Sequence, residues 1–242
     1  MNSETGYFIY VGKQGGKYDP KKTSFEPYPG YEKKKILGPV PDSVIGKMAY
    51  CGFCHKWVLG AVHKGNVRGI DIEQYKSSDN EKVLILVLES PHKDEFDDNL
   101  KPILPAQGIT GRNIENLIGT RNFVGYLDKG SEYVVLLVNA VRYQTSCAYV
   151  FGNMITKVRN KVFKHLFKEK GLKEDFLNRI QNYSKNNGNI IINCCTEKLR
   201  PLVEECLCGL SQNEEIKNGQ DYHPCFWWTY KQYEKNKKRR GG

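Results

Sequence analysis

Three blocks of apolar residues stand out in the second half of the chain, each short, unbroken and closed by a polar residue. Positions 83–88 read Val-Leu-Ile-Leu-Val-Leu and end at Glu89. Positions 133–138 read Tyr-Val-Val-Leu-Leu-Val and end at Asn139, and 189–193 set three isoleucines between Asn189 and Asn193. Runs of this length without alternation predict strands buried on both faces. Between them the spacing turns helical. Helices are predicted from about Gly111, around 152–170, over 172–183 with Asn186-Asn187-Gly188 as its stop, and over 196–208 with Thr196 as N-cap. In the longest, Val158, Val162, Phe163, Leu166 and Phe167 alternate with Lys157, Arg159, Lys161, Lys164 and Lys168. One face is expected to pack and the other to meet phosphates. Strands alternating with helices predict an α/β protein with a parallel sheet covered on both sides.

The first third follows no such rhythm. Residues 1–48 are rich in Gly, Pro, Tyr and Lys, and Pro20, Pro27, Pro29, Pro39 and Pro41 argue against long helices. One strand is expected at 7–11, within an irregular arm wrapped around the core. Strand-like pieces follow near 57–62 and 68–72, and the polar stretch 211–220 reads as a loop. The chain divides into an N-terminal extension (1–80), an α/β domain (81–230) and a basic tail (231–242). Its 242 residues suit one such domain.

Charge adds a partner to this picture. Net charge is +10, with cations grouped at Lys33-Lys34-Lys35, across 157–173 and in the tail from Lys235 to Arg240. That balance argues for a polyanionic partner. No apolar run approaches the roughly 18–20 residues that span a bilayer, and the first residues do not read as a signal peptide. The expectation is a soluble, cytoplasmic protein without a membrane partner.

Eight cysteines are many, but their spacing is not that of a disulfide framework, and packing accounts for most of them. Cys51-Gly52-Phe53-Cys54 followed by His63 (or His55) resembles three ligands of a structural zinc knuckle, with no evident fourth.

The candidate chemistry sits where the buried runs end, the usual place for sites in open α/β sheets. Glu89-Ser90-Pro91-His92 closes the first run. Gly108-Ile109-Thr110-Gly111-Arg112 opens a helix, Asn139 closes the second run, and His223-Pro224 comes late, backed by Cys225, Phe226, Trp227 and Trp228. A carboxylate, an amide and an imidazole converging there would read and cut a planar base.

In this order the four segments resemble the uracil-DNA glycosylase superfamily, nearest its branch with a Gly-Glu-Ala-Pro-Gly first motif. The resemblance covers about 82–230. It implies a three-layer α/β/α sandwich around a four-stranded parallel sheet, and hydrolytic cleavage of an N-glycosidic bond in DNA. Glu89 and Pro91 match the first motif, whose carboxylate positions water or stabilises the sugar cation; Ser90 and His92 stand where the family has other residues. Glu95 matches a later acidic position, and Gly108 and Gly111 match the glycine-rich turn. Asn139 matches the base-reading asparagine. His223 matches the histidine that donates to the departing base, and Phe226 or Trp227 would be the residue wedged into the DNA stack.

The set implied for catalysis is Glu89, His223 and Glu95. Asn139, Ser90, Pro91, His92, Ala106 and Gln107 would bind the base, and Gly108, Thr110, Gly111, Arg112, Arg142, Phe226 and Trp227 would face DNA. The family places a stacking aromatic before the glycine-rich turn, where this chain has Pro105-Ala106-Gln107, which points to a roomier pocket. Iron–sulfur members carry Cys-x-x-Cys upstream, matched by Cys51 and Cys54, with Cys147 as a third ligand. No cysteine follows at the later spacing, so a four-cysteine cluster is not supported, and the chemistry itself requires no cofactor.

The expected protein is therefore a monomeric, monofunctional DNA glycosylase. It would flip out and excise a modified or deaminated pyrimidine, leaving an abasic site. The superfamily includes an antiphage type that removes glucosylated hydroxymethylcytosine from viral DNA, and the missing aromatic suits it. Two other classes stay open on these residues: a non-catalytic nucleic-acid-binding protein on the same fold, and a hydrolase of free nucleosides or nucleotides.

Overall fold

The computed structural model describes residues 6–75, 81–184, 189–210 and 217–227. The expected helix stop at 186–188, Trp228 and the basic tail lie outside the described residues.

The N-terminal third is not the irregular arm expected. β1 (Phe8–Gln14), β2 (Lys17–Ser24) and β3 (Glu32–Lys35) form an antiparallel sheet in the order β2-β1-β3. Ile9 and Val11 alternate inward, while Lys33 and Lys35 point to solvent. Pro20 is tolerated because it falls on an edge strand where the β1–β2 register shifts, between the pairs Val11–Thr23 and Lys13–Tyr18. β4 (Ser43–Cys51) and β5 (Lys56–Ala61) make a hairpin, β6 (His63–Lys64) and β7 (Val67–Arg68) a smaller one, and β8 (Ile70–Asp71) pairs with β4. Residues 43–71 thus belong largely to the main sheet rather than to an appendage.

That sheet has seven strands. β9 (Lys82–Leu88), β10 (Tyr133–Asn139), β11 (Ile190–Asn193) and β12 (Lys217–Gln220) run parallel in the order β12-β11-β9-β10. β4, β5 and β8 extend it in antiparallel fashion beyond β10. β12 corrects the loop expected at 211–220. It pairs only with β11 and holds no apolar run, so hydropathy could not announce it.

β9 from Val83 on and β10 up to Val138 are apolar at every position because both of their faces are covered. Ile85, Val87, Val134, Leu136 and Val138 join a core with α3 (Thr156–Glu169), α4 (Leu172–Tyr183) and α5 (Arg200–Cys208). Leu84, Leu86, Leu88, Val135 and Leu137 join another with α1 (Ile109–Leu117) and Trp227. The long helix expected around 152–170 is α3, which starts only at Thr156; a separate α2 (Ala148–Phe151) ends before it at Gly152, whose φ of 76° lies in the left-handed region glycine tolerates. Thr196 is not an N-cap. α5 starts at Arg200 with Leu199 before it and Pro201 in its first turn, where the missing N–H is harmless.

Candidate active site

A cavity of about 260 Å³ opens at the C-terminal end of β9. Its wall brings together three segments distant in sequence: 88–95 after β9, 108–110 at the start of α1, and 223–226. Met154, Arg159 and Thr196 complete one side. Asn113 of α1 donates from Nδ2 to the Pro224 carbonyl at 2.8 Å, which ties the late His-Pro segment to the helix. Arg121 and Asp221 form a buried ion pair just before it.

Glu89 is only 4% exposed and fully engaged. Arg159 donates to its Oε1 at 2.9 Å and the Thr196 N–H donates to Oε2 at 2.9 Å. His223 Nε2 stands 3.8 Å from the same Oε2. A buried carboxylate needs such partners, because the attraction of the cation and the N–H groups must offset its lost hydration. Arg159 was expected on a phosphate-facing surface; instead it is buried beside Glu89. A signal for this existed: 159, 162, 163 and 166 share the helical face that carries Val162, Phe163 and Leu166.

His223 is held in one tautomer. The Cys225 N–H donates to Nδ1 at 3.3 Å, so Nε2 carries the proton. Burial pushes the imidazole below its ordinary pKa, against the pull of Glu89, and keeps the ring neutral near pH 7. The Cys225 thiol lies 3.0 Å from Nδ1, and burial pushes it up to about 12, so it stays protonated.

Glu95 is a second buried carboxyl on this wall, next to the exposed Asp94, and no cation pairs with it among the described residues. Its Oε1 accepts the Ala106 N–H at 2.8 Å, and Oε2 has no hydrogen-bond partner among the described residues. Burial raises its pKa to about 8, with the Ala106 and His92 N–H groups and the Asn139 amide opposing. Near neutral pH it is therefore a buried carboxylic acid that can donate. Ser146 and Thr196 also line the cavity, and their buried hydroxyl oxygens have no partner among the described residues.

The remaining expected residues divide. Pro91, His92, Gly108, Thr110 and Phe226 lie on the wall, and His92 Nδ1 sits 3.3 Å from Asp94. Ser90 lines it as well, with its hydroxyl 2.7 Å from that of Thr145. Asn139 closes β10 but does not line the cavity. It is buried, and its amide lies close enough to Glu95 to oppose the rise in that carboxyl's pKa.

Ala106 and Gln107 are also off the wall. Ala106 holds Glu95, while Gln107 accepts from Arg68 N at 2.8 Å and donates back to Arg68 O at 2.8 Å, so its amide is spent on β7. Gly111 serves packing, since a Cβ there would collide with the Ala106 carbonyl. Arg112 is exposed at the helix start, and Arg142 faces Asp175 of α4 at 3.4 Å, outside the cavity wall. Trp227 cannot be a wedge: it is fully buried, donates from Nε1 to Tyr222 O at 2.7 Å and packs beside Phe123. Phe226, 55% exposed at the cavity, is the aromatic left for that role.

The expected metal ligands are not grouped among the described residues. His63 Nε2 lies 2.9 Å from Glu115, not beside the cysteines, and Cys147 is sealed in the core. Among the described residues no three His, Cys, Asp or Glu side chains are grouped to hold an ion. No described helix is long and apolar enough to cross a membrane.

Comparison with family models, with curated proteins and with solved structures returned no match.

Proposed function

We propose that the cavity is the active site of a DNA glycosylase that hydrolyses the bond between a pyrimidine base and its sugar. The observation that carries this reading is two unlike carboxyls on one wall, Glu89 paired with Arg159 and Glu95 protonated and without a cation among the described residues, with neutral His223 3.8 Å from Glu89. Bond cleavage places positive charge on the sugar and negative charge on the base, and fixed groups of opposite character are what such a transition state needs.

Glu89 faces the sugar cation and orients the water whose oxygen bonds to C1′. His223 donates from Nε2 to the oxygen of the leaving base. Glu95 supplies a proton to a base that leaves poorly as an anion, the case for cytosine derivatives more than for uracil. Glucosylated hydroxymethylcytosine in viral DNA is the specific substrate we place within this class. Phe226 fills the gap left by the flipped nucleotide, and the exposed lysines of α3 (Lys157, Lys164 and Lys168) grip phosphates. In this reading the two apolar cores on either side of the sheet are the outer interfaces of a three-layer α/β/α sandwich.

One observation favours a second reading. Arg159 neutralises Glu89, and a carboxylate so paired suits a nucleic-acid-binding protein that has no chemistry to perform. Mass spectrometry of bases released from ordinary DNA, uracil-containing DNA and viral DNA with glucosylated hydroxymethylcytosine separates the two. A base released by the native chain and not by Glu89→Gln supports the enzyme and names its substrate. No release from any of the three, with salt-sensitive DNA binding intact, supports the binder.

A further inference from the structure

Among the described residues the Cys-x-x-Cys pair has no third ligand, and its place in the fold explains why. β4 and β5 pair down to Cys51–Lys56, so residues 52–55 are a turn held on a rigid hairpin at one end of the main sheet. Every residue of that turn is exposed, and Phe53 at its tip is 98% exposed. His55 takes a left-handed φ of 53° as the chain returns into β5. The Cys54 N–H donates to Cys51 Sγ at 3.4 Å, and Cys54 Sγ lies 4.0 Å from the Cys51 carbonyl, so the turn folds both thiols toward each other. Neither is in a disulfide.

We propose that this turn is half of a zinc site completed by the same turn of a second copy of the chain. Zn²⁺ takes four ligands in a tetrahedron, and Cys₄ is one of its common structural sets. One turn supplies two sulfurs, and a two-fold axis through the metal supplies the other two without any further residue. The turn meets the geometric demand such an arrangement makes, since residues 52–55 are all exposed. Four thiolates on Zn²⁺ leave a net charge of −2, which Lys56, exposed beside the turn in each copy, offsets. Phe53 gains apolar cover from its counterpart, which accounts for a bare aromatic at the most exposed point of the hairpin. Zinc binding displaces the thiol protons into solvent as the sulfurs coordinate. The site is remote in function from the cavity and does not depend on what the cavity does.

The test uses the full chain. Zinc per chain is measured by elemental analysis, and molecular mass by sedimentation, before chelation, after EDTA, and after Zn²⁺ is restored. The expected result is one zinc per two chains in a dimer that becomes monomer with EDTA and reforms with Zn²⁺. Cys51→Ser and Cys54→Ser are each expected to lose metal and dimer together while their thermal melts match the native chain. Cys208→Ser, at the other exposed cysteine, is expected to keep both. One zinc per monomeric chain, no zinc uptake, or a dimer that persists in Cys51→Ser would each overturn the proposal.

Discussion

Glu89 and Glu95 stand six positions apart on one cavity wall and are opposite in character. Glu89 meets a guanidinium and a backbone N–H, which give each of its buried oxygens a partner. Glu95 meets neutral N–H donors and, among the described residues, no cation, so burial wins and its proton is retained to about pH 8. Residue type does not decide what a carboxyl does here; the partner does. The contrast is also what a reaction that builds opposite charges on sugar and base requires.

The strongest way to break this comparison is Glu89→Gln. If Glu89 acts on the reaction, base release falls by about 10²–10⁴-fold, while affinity for duplex DNA is held. Arg159→Met attacks the same contrast from the other side by leaving a buried charge without its partner. A loss of about 3–5 kcal/mol in urea unfolding is expected, with much of it recovered in Glu89→Gln/Arg159→Met. That double variant folds and still fails to release base if the carboxylate is catalytic.

Glu95 is tested by pH. Its folded pKa of about 8 lies above an unfolded value of about 4.3, so between them the folded chain holds a proton the unfolded chain has released. Stability therefore falls as pH rises through that window, by up to about 1.4 kcal/mol per unit. Glu95→Gln flattens this slope, and base release in the native chain declines above pH 8. The mildest test is Phe226→Ala. Stability should change by no more than about 0.5 kcal/mol, since the ring is exposed, while release from duplex falls more than release from single strands.

A second contrast concerns what could be read without the fold. The parallel strands at 82–88 and 133–139 were legible within a residue, because burial on both faces writes itself as an unbroken apolar run. The helix at 172–183 was equally plain from its period. Hidden were β2, β3 and β12, whose residues are largely polar or half-exposed and whose pairing depends on distant partners. Of the site, Glu89, Glu95, His223 and Phe226 were visible as polar or aromatic groups at element ends. Gln107 and Trp227 were misjudged, one because Arg68 claims its amide and the other because Phe123 and Tyr222 enclose it.

The sequence by itself determined the alternation of strand and helix, the placing of Glu89 and Asn139 at the ends of buried strands, and the excess of cationic side chains. These depend on the order of neighbouring residues. Tertiary structure alone decided that Arg159 turns inward to Glu89 across 70 positions, that the Thr196 N–H reaches the same carboxylate across 107, and that Glu95 is left without a cation. The physical reason is that protonation state and hydrogen-bond satisfaction are set by which groups share a low-dielectric space, and only folding brings those groups together.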